Sequence, residues 1–402
     1  MNKTSTGNRP YIGLPPLMRR AFAQEDLKPL AAELIDYANT HPEDTNALLD
    51  LSTVLLFTGH HDLAQATQAE ALKAQQVYTL SAPDEPAVRL LVLKTAGDLM
   101  ANTPVEFLVE DTDVATTLLY VGADIPPAQE IPDHDVMFVA IGESDVNNPL
   151  LEALTDVVRT WPRPVLNLPE RIPALARDSA SRLLSGLDGV AMPVSLRVDR
   201  SDLEAVATST ERYVAGLDFP VIIRPVGSHA GHGLQKLDSI DAMTDYCQSV
   251  AAERYYVSPF VDYRSADGQF RKYRIMVVQG RPYLCHMAIS SHWMIHYLNA
   301  GMTDSAVKRD EEALAMQTFN EGFALRHAAA FKAITERVGL DYYGIDCSET
   351  PDGQLLIFEV DSNMIVHAMD PVDTFAYKQP PMKKLFTAFR NMLVQAALAH
   401  KG

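Results

Sequence analysis

Three carboxylates sit where carboxylates are costly. Residues 339–363 read GLDYYGIDCSETPDGQLLIFEVDSN, two apolar-rich runs, Tyr343–Cys347 and Leu355–Val360, on either side of Pro351-Asp352-Gly353. That pattern predicts a β-hairpin. A two-residue Asp352-Gly353 loop places Asp346 opposite Glu359, with Asp361 two residues on and on the same face. A type I turn with a glycine bulge would instead shift the register by one and separate the acids. Facing like charges destabilise a hairpin unless something neutralises them. A hard divalent cation with oxygen ligands is one neutraliser. A solvated edge hairpin with ordinary surface acids is the bland alternative, but acids among apolar strand residues cost free energy without a partner.

Groups suited to phosphate precede the hairpin. Residues 218–233, DFPVIIRPVGSHAGHG, run from a β-rich stretch ending at Arg224 into a loop holding Gly227, Ser228, Gly231 and Gly233. Glycines let a backbone approach phosphate oxygens and aim N–H groups at them. The spacing fits neither the lysine-ending phosphate loop nor the dinucleotide fingerprint, and a plain hairpin turn is the alternative. His229 and His232 flank the loop and are given no role. Residues 254–262, RYYVSPFVD, read as a strand, and so do residues 272–280, KYRIMVVQG. Arg274 in the latter suits a phosphoryl group, or else a surface ion pair.

The elements that must position these groups follow from the rest of the chain. At 402 residues it has room for two or three domains. Its formal net charge of −18 argues against a nucleic-acid or anionic-membrane binder. Any phosphate site must therefore be built from local positive groups. Cys247, Cys285 and Cys347 are far apart and form no disulfide or zinc pattern, which predicts a reducing cytoplasm. No apolar stretch precedes a cleavage site at the N-terminus, and no run is long enough to span a membrane. Residues 1–16 read as an extended arm and 17–77 as helices. Leu48, Leu51, Ser52, Leu55, Gly59, Ala64 and Ala71 resemble one tetratricopeptide repeat. Such a unit either binds a partner or packs on the body or a second subunit, so a homodimer is one option. After a polar break at Ser81–Pro86, Val88–Leu93, Thr117–Val121, Val136–Ile141 and Pro164–Leu168 read as strands of an open sheet, with a helix over Pro149–Thr160. A long helix is expected within Ser305–Val338, with Glu311, Glu312, Arg326 and Lys332 facing solvent, and a last helix over Met382–Ala399.

Three motifs in order resemble the ATP-grasp superfamily, in particular ligases that join D-alanine residues or add glutamate to peptides. The resemblance covers about residues 165–393. Asn167, Pro169, Glu170, Ile172 and Asp178 match its entry segment, with Ser179 in place of a lysine and Arg177 as the substitute phosphate contact. Arg224-Pro225 stands for Lys-Pro before the glycine loop, and Glu359-Val360-Asp361 for Glu-x-Asn. The resemblance implies a mixed α/β and α+β chain: a helical segment (1–80), an open-sheet domain before the ATP-grasp region (81–192), and a two-lobed ATP-grasp domain (193–402). It implies ATP bound by Arg177, Arg224, Gly227, Ser228, Gly231, Gly233, Ser258, Phe260 and Val261. It implies Mg2+ on Asp346, Glu359 and Asp361 or Asn363, with Arg274 and Asn299 at the reacting phosphate. The implied reaction joins a carboxylate to an amine through an acyl-phosphate, with small-molecule or peptide substrates. An ATP-grasp kinase acting on an alcohol and a non-catalytic scaffold are the competing readings.

Overall fold

The computed structural model describes residues 9–80, 83–207, 213–214, 216–228 and 231–401. The chain is mixed α/β and divides into two compact units, one of residues 1–172, 362–370 and 382–402, the other of residues 173–361 and 371–381. His229, Ser81 and the start of the N-terminal arm lie outside the described residues.

In the first unit, helices α1 (Leu14–Phe22), α2 (Lys28–Thr40), α3 (Asn46–Phe57) and α4 (His61–Ala74) enclose a small core that includes Leu17, Leu34, Ala47 and Val54. The residues ahead of α1 are docked: buried Asp50 accepts the N–H groups of Ile12 and Gly13 at 2.9 and 3.0 Å. Proline in the first turn of α1 is tolerated, since those N–H groups have no helical partner. The sheet runs β1 (Val77–Thr79), β3 (Val114–Tyr120), β2 (Val88–Lys94), β4 (Val136–Val139), β5 (Val165–Leu166), all parallel except β1. Every residue of β4 is buried, as expected of a parallel strand covered on both faces. Helices α5 (Val105–Val109) and α6 (Asn148–Arg159) cross between strands. The four N-terminal helices belong to the same compact unit as this sheet. Tyr78 packs its ring against Tyr11 and Tyr120, and the Gln68 amide exchanges two hydrogen bonds with the backbone of Gly97.

The second unit carries α7 (Arg177–Leu183), β6 (Val190–Ala191), β7 (Leu196–Asp199), α8 (Arg200–Ala207), a short β8 (Tyr213–Val214) and β9 (Leu217–Asp218) pair, β10 (Val221–Pro225), β11 (Gln235–Leu237), α9 (Ile240–Ser249) and β12 (Arg254–Pro259). Then come β13 (Phe270–Val278), β14 (Arg281–Ser290), α10 (Ala306–Gln317), α11 (Phe323–Arg326), α12 (Ala328–Val338), β15 (Tyr342–Glu349), β16 (Leu355–Asp361) and α13 (Val372–Phe375). One sheet runs β11-β10-β12-β7 and packs on α8 and α9 through Leu203, Met243 and Tyr255. The other runs β14-β13-β15-β16-β6. Helix α14 (Gln379–Lys401) closes the chain. It starts earlier than expected because prolines fit its first turn.

Two expectations are corrected here. The single helix expected before residue 338 is three, broken where a Cβ on Gly322 would come within 2.9 Å of the Thr318 carbonyl. Glu312 does not face solvent. It is fully buried, accepting from the Met287 N–H (2.9 Å), Tyr297 (2.8 Å) and Tyr377 (2.7 Å), with Lys378 3.7 Å away.

Candidate functional site

The hairpin aligns its acids by a route the sequence did not suggest. The chain closes with Thr350 opposite Gln354, and Gly353 adopts φ +86°, as in a three-residue loop with a left-handed glycine. That closure alone would offset Asp346 from Glu359. Phe358 is then an extra residue on β16, a bulge that restores the alignment, so Asp346 faces Glu359 and Gly344 faces Asp361. The bulge also frees the Phe358 carbonyl, which accepts a hydrogen bond from Arg177 at 3.3 Å.

Neighbouring elements neutralise the acids. Across the sheet, β13 sets Arg274 directly beside Asp346. The Arg274 guanidinium binds Asp346 through two parallel bonds of 2.8 and 3.0 Å, and Lys272 adds a third contact at 2.8 Å. Burial alone would raise the Asp346 carboxyl, but Arg274 and Lys272 hold it well below the usual range. Glu359 pairs with Arg177 from α7. Burial opposes its charge too, and Arg177 keeps the carboxyl lowered.

Arg224 differs. It is 8% exposed near the end of β10, and its guanidinium donates to the Ser228 hydroxyl (3.1 Å) and the Ser228 carbonyl. No carboxylate pairs with it among the described residues. Burial, and then the charge of Arg177, push it down to about 10 from the usual 12.5. The glycine loop lies over the same region. Gly227, Gly231 and Gly233 all take positive φ, and a Cβ on Gly233 would strike Pro225 at 2.7 Å. A Cβ on Gly231 would lie 3.9 Å from the Met294 sulfur, and His232 lies near enough to His296 to lower it, after burial, Lys272 and Arg274. Arg177, Arg224, Lys272 and Arg274 thus lie close to Asp346 and Glu359.

The other expected residues divide. Ser258 pairs with Ile222 across β12 and β10. The Phe260 N–H bonds the Pro220 carbonyl at 3.0 Å, so it is not open to a base, while the Phe260 ring stacks under the Lys236 ammonium (4.8 Å) and edges Trp293. Val261 packs on the core around Tyr263. Asn299 is exposed on a short turn, and its side chain makes no hydrogen bond to the cluster. Asn363 belongs to the first unit, where its amide donates to the Met100 carbonyl. Nor do the acids fit a divalent ion as they stand. Both oxygens of Asp346 and one of Glu359 are held by basic side chains, and no three ligating side chains converge among the described residues. Lys272 was the signal missed: its position shows only once β13 and β15 pair, contacts distant in sequence. Half-buried His286, held well below its usual range by desolvation and the nearby Arg274 and Lys378, was missed for the same reason.

No helix among the described residues is long and apolar enough to cross a membrane. No known family description and no curated protein matches the sequence. Solved structures do. A RimK-domain ATP-grasp protein from Sphaerobacter thermophilus is 16% identical, with a TM-score of 0.43, covering 77% of this chain and 99% of that one. The D-alanine–D-alanine ligase of Bacillus anthracis complexed with ATP is 10% identical, with a TM-score of 0.46 over 78% and 98%. The VanG D-Ala:D-Ser ligase of Enterococcus faecalis is 14% identical, with a TM-score of 0.41 over 74% and 99%. At this distance neither activity nor ligand carries over from them.

Proposed function

We propose that the second unit binds the phosphates of ATP and uses them to join a carboxylate to an amine. The observation that carries this reading is the local excess of cations. Buried Asp346 and the partly exposed Glu359 sit among Arg177, Arg224, Lys272 and Arg274, and among the described residues no carboxylate pairs with Arg224. A buried guanidinium beside another cation is an arrangement that a polyanion relieves. The ordered motifs from Arg177 to Asp361 resemble ATP-grasp ligases and support the choice of ATP.

In this reading Arg177 and Arg224 hold the phosphate chain, and Gly227, Gly231 and Gly233 offer backbone N–H groups. Lys272 and Arg274 face the transferring phosphoryl group, with Asp346 as the positioning residue that fixes the Arg274 fork. A substrate carboxylate oxygen attacks the γ-phosphorus, the bond to the β,γ-bridging oxygen breaks, and ADP leaves. The amine then attacks the acyl carbon and inorganic phosphate departs with the C–O bond. The proton lost by the amine passes to phosphate or solvent. Magnesium is left out of these steps because the carboxylates that would hold it are engaged by basic side chains.

That engagement favours a second reading, nucleotide binding without turnover. A screen of the full chain for ADP release, across amino acids and short peptides, separates the two. The ligase reading expects ADP only when an acid and an amine are both present. ADP released with an alcohol alone would make the protein a kinase. ATP binding with no ADP under any combination would leave the non-catalytic reading, and no ATP binding at all would remove both.

A further inference from the structure

The first unit holds a polar cavity of about 60 Å³, lined by α3, α4, the residues after β2, and Glu106 of α5. It lies at the carboxyl ends of β2 and β3, where Lys94 and Tyr120 are paired in register. The strand order also turns there: β3 lies on one side of β2 and β4 on the other. Open sheets place ligands at such a point. Exposed Gln65 and Asp98 form its mouth.

Two charged side chains line the cavity, each more than nine-tenths buried: Lys94 at 6% exposure and Glu106 at 2%. The Lys94 ammonium donates to Glu106 Oε1. Glu106 Oε2 is buried and has no hydrogen-bond partner. An unmet buried carboxylate oxygen is expensive. Lys94 also engages the Tyr120 hydroxyl and lies 5.8 Å from that ring's centroid, and with three N–H donors it keeps one hydrogen beyond those given to Glu106 and Tyr120. The pair therefore presents an acceptor and a donor side by side. It is also neutral in sum, and a net charge added to a buried site pays a large desolvation cost. Asn102 offers nothing further, since both ends of its amide bond the Thr95 backbone at 2.8 Å.

We propose that this cavity binds a small neutral molecule bearing a donor and an acceptor on one edge, a primary carboxamide being the simplest. Its N–H meets Glu106 Oε2, its carbonyl oxygen accepts from Lys94, and its alkyl part lies against Leu14 and Leu56. The volume is right for a few heavy atoms, since one water takes roughly 10–15 Å³ on this measure. This inference is independent of the phosphate site, which belongs to the other unit.

The test is ligand-observed NMR on the full chain with acetamide, methylammonium and acetate as separate probes. Acetamide should show saturable binding, and the two ions at least about tenfold weaker binding. The double variant Lys94→Met with Glu106→Leu swaps the ion pair for apolar side chains of similar size, a change cores commonly accept. It should keep its near-UV circular dichroism and lose acetamide binding. Ser52→Leu, which narrows the cavity without touching the pair, is the second variant and should also lose it. Wild-type protein that binds no acetamide, so that the cavity holds water only, overturns the proposal. Equal or tighter binding of either ion overturns the assigned chemistry, and binding retained in a folded variant overturns the assigned residues.

Discussion

Replacing Arg224 by methionine should separate the folding role of the cluster from its binding role. The side chain is nearly fully buried, and its fall from 12.5 to about 10 corresponds to about 3 kcal/mol of unfavourable environment for the charge. Against this stand two charge-assisted hydrogen bonds to Ser228, each contributing about 1.5 kcal/mol. Methionine fills similar space without the charge. Arg224→Met should therefore leave stability within about 1 kcal/mol of wild type, a shift of at most about 2–4 °C in melting temperature for a unit of this size. ATP binding should change more. A charge-assisted contact to phosphate contributes about 1.5–3 kcal/mol, so affinity should fall about tenfold to a hundredfold. Differential scanning fluorimetry with and without ATP, beside titration calorimetry, reads both quantities. A variant that melts well below wild type and keeps the full ATP-induced shift would refute the reasoning, because Arg224 would then be a structural cation with no ligand to meet.

Glu359→Gln should destabilise the free protein by about 1–3 kcal/mol, since it leaves Arg177 unpaired beside Arg224; the side chains are about a quarter exposed, so screening softens the loss. A denaturant melt checks it, and a neutral or stabilising outcome would mean that repulsion from Asp346 outweighs the Arg177 pair. The first unit should lose stability as pH rises. Burial lifts the Asp50 carboxyl to about 7, above its unfolded value of 3.8, so the native state holds a proton that the unfolded chain has lost. Stability should be greatest below about pH 4 as far as this group is concerned, and fall by up to about 4 kcal/mol by pH 7. Asp50→Asn should flatten that slope in melts followed between those pH values. Asp346→Asn should lower turnover far more than ATP affinity, because it loosens the Arg274 fork without removing a phosphate-facing cation; an unchanged rate of ADP release would end its positioning role.

The sheet of the first unit was legible because fully buried parallel strands read as continuous apolar runs; β2 and β4 began where expected. Asp346 and Glu359 were placed opposite one another by assuming a two-residue turn. The chain uses a three-residue turn instead, and Phe358 bulges to recover the alignment. Bulges depend on packing around the strand, and nothing in the local sequence announces this one. The charge partners were harder. Arg274 was read as suited to a phosphoryl group or to a surface ion pair, not as the clamp on Asp346, and Lys272 only as the start of a strand. Their roles come from β13 lying between β14 and β15, a pairing distant in the sequence. Glu312 misled for a related reason. Its helix carries a weak apolar stripe, and the tyrosines and lysine that satisfy the buried carboxylate come from residues 297, 377 and 378.

Titration calorimetry of the full chain with ATP, ADP and AMP, each with and without magnesium, tests the phosphate site most directly. ATP and ADP should give saturable heat, AMP should bind at least about tenfold more weakly, and the ATP signal should vanish when Arg177 and Arg224 are both replaced by methionine. No heat from ATP under either metal condition, or equal affinity for AMP, would contradict it.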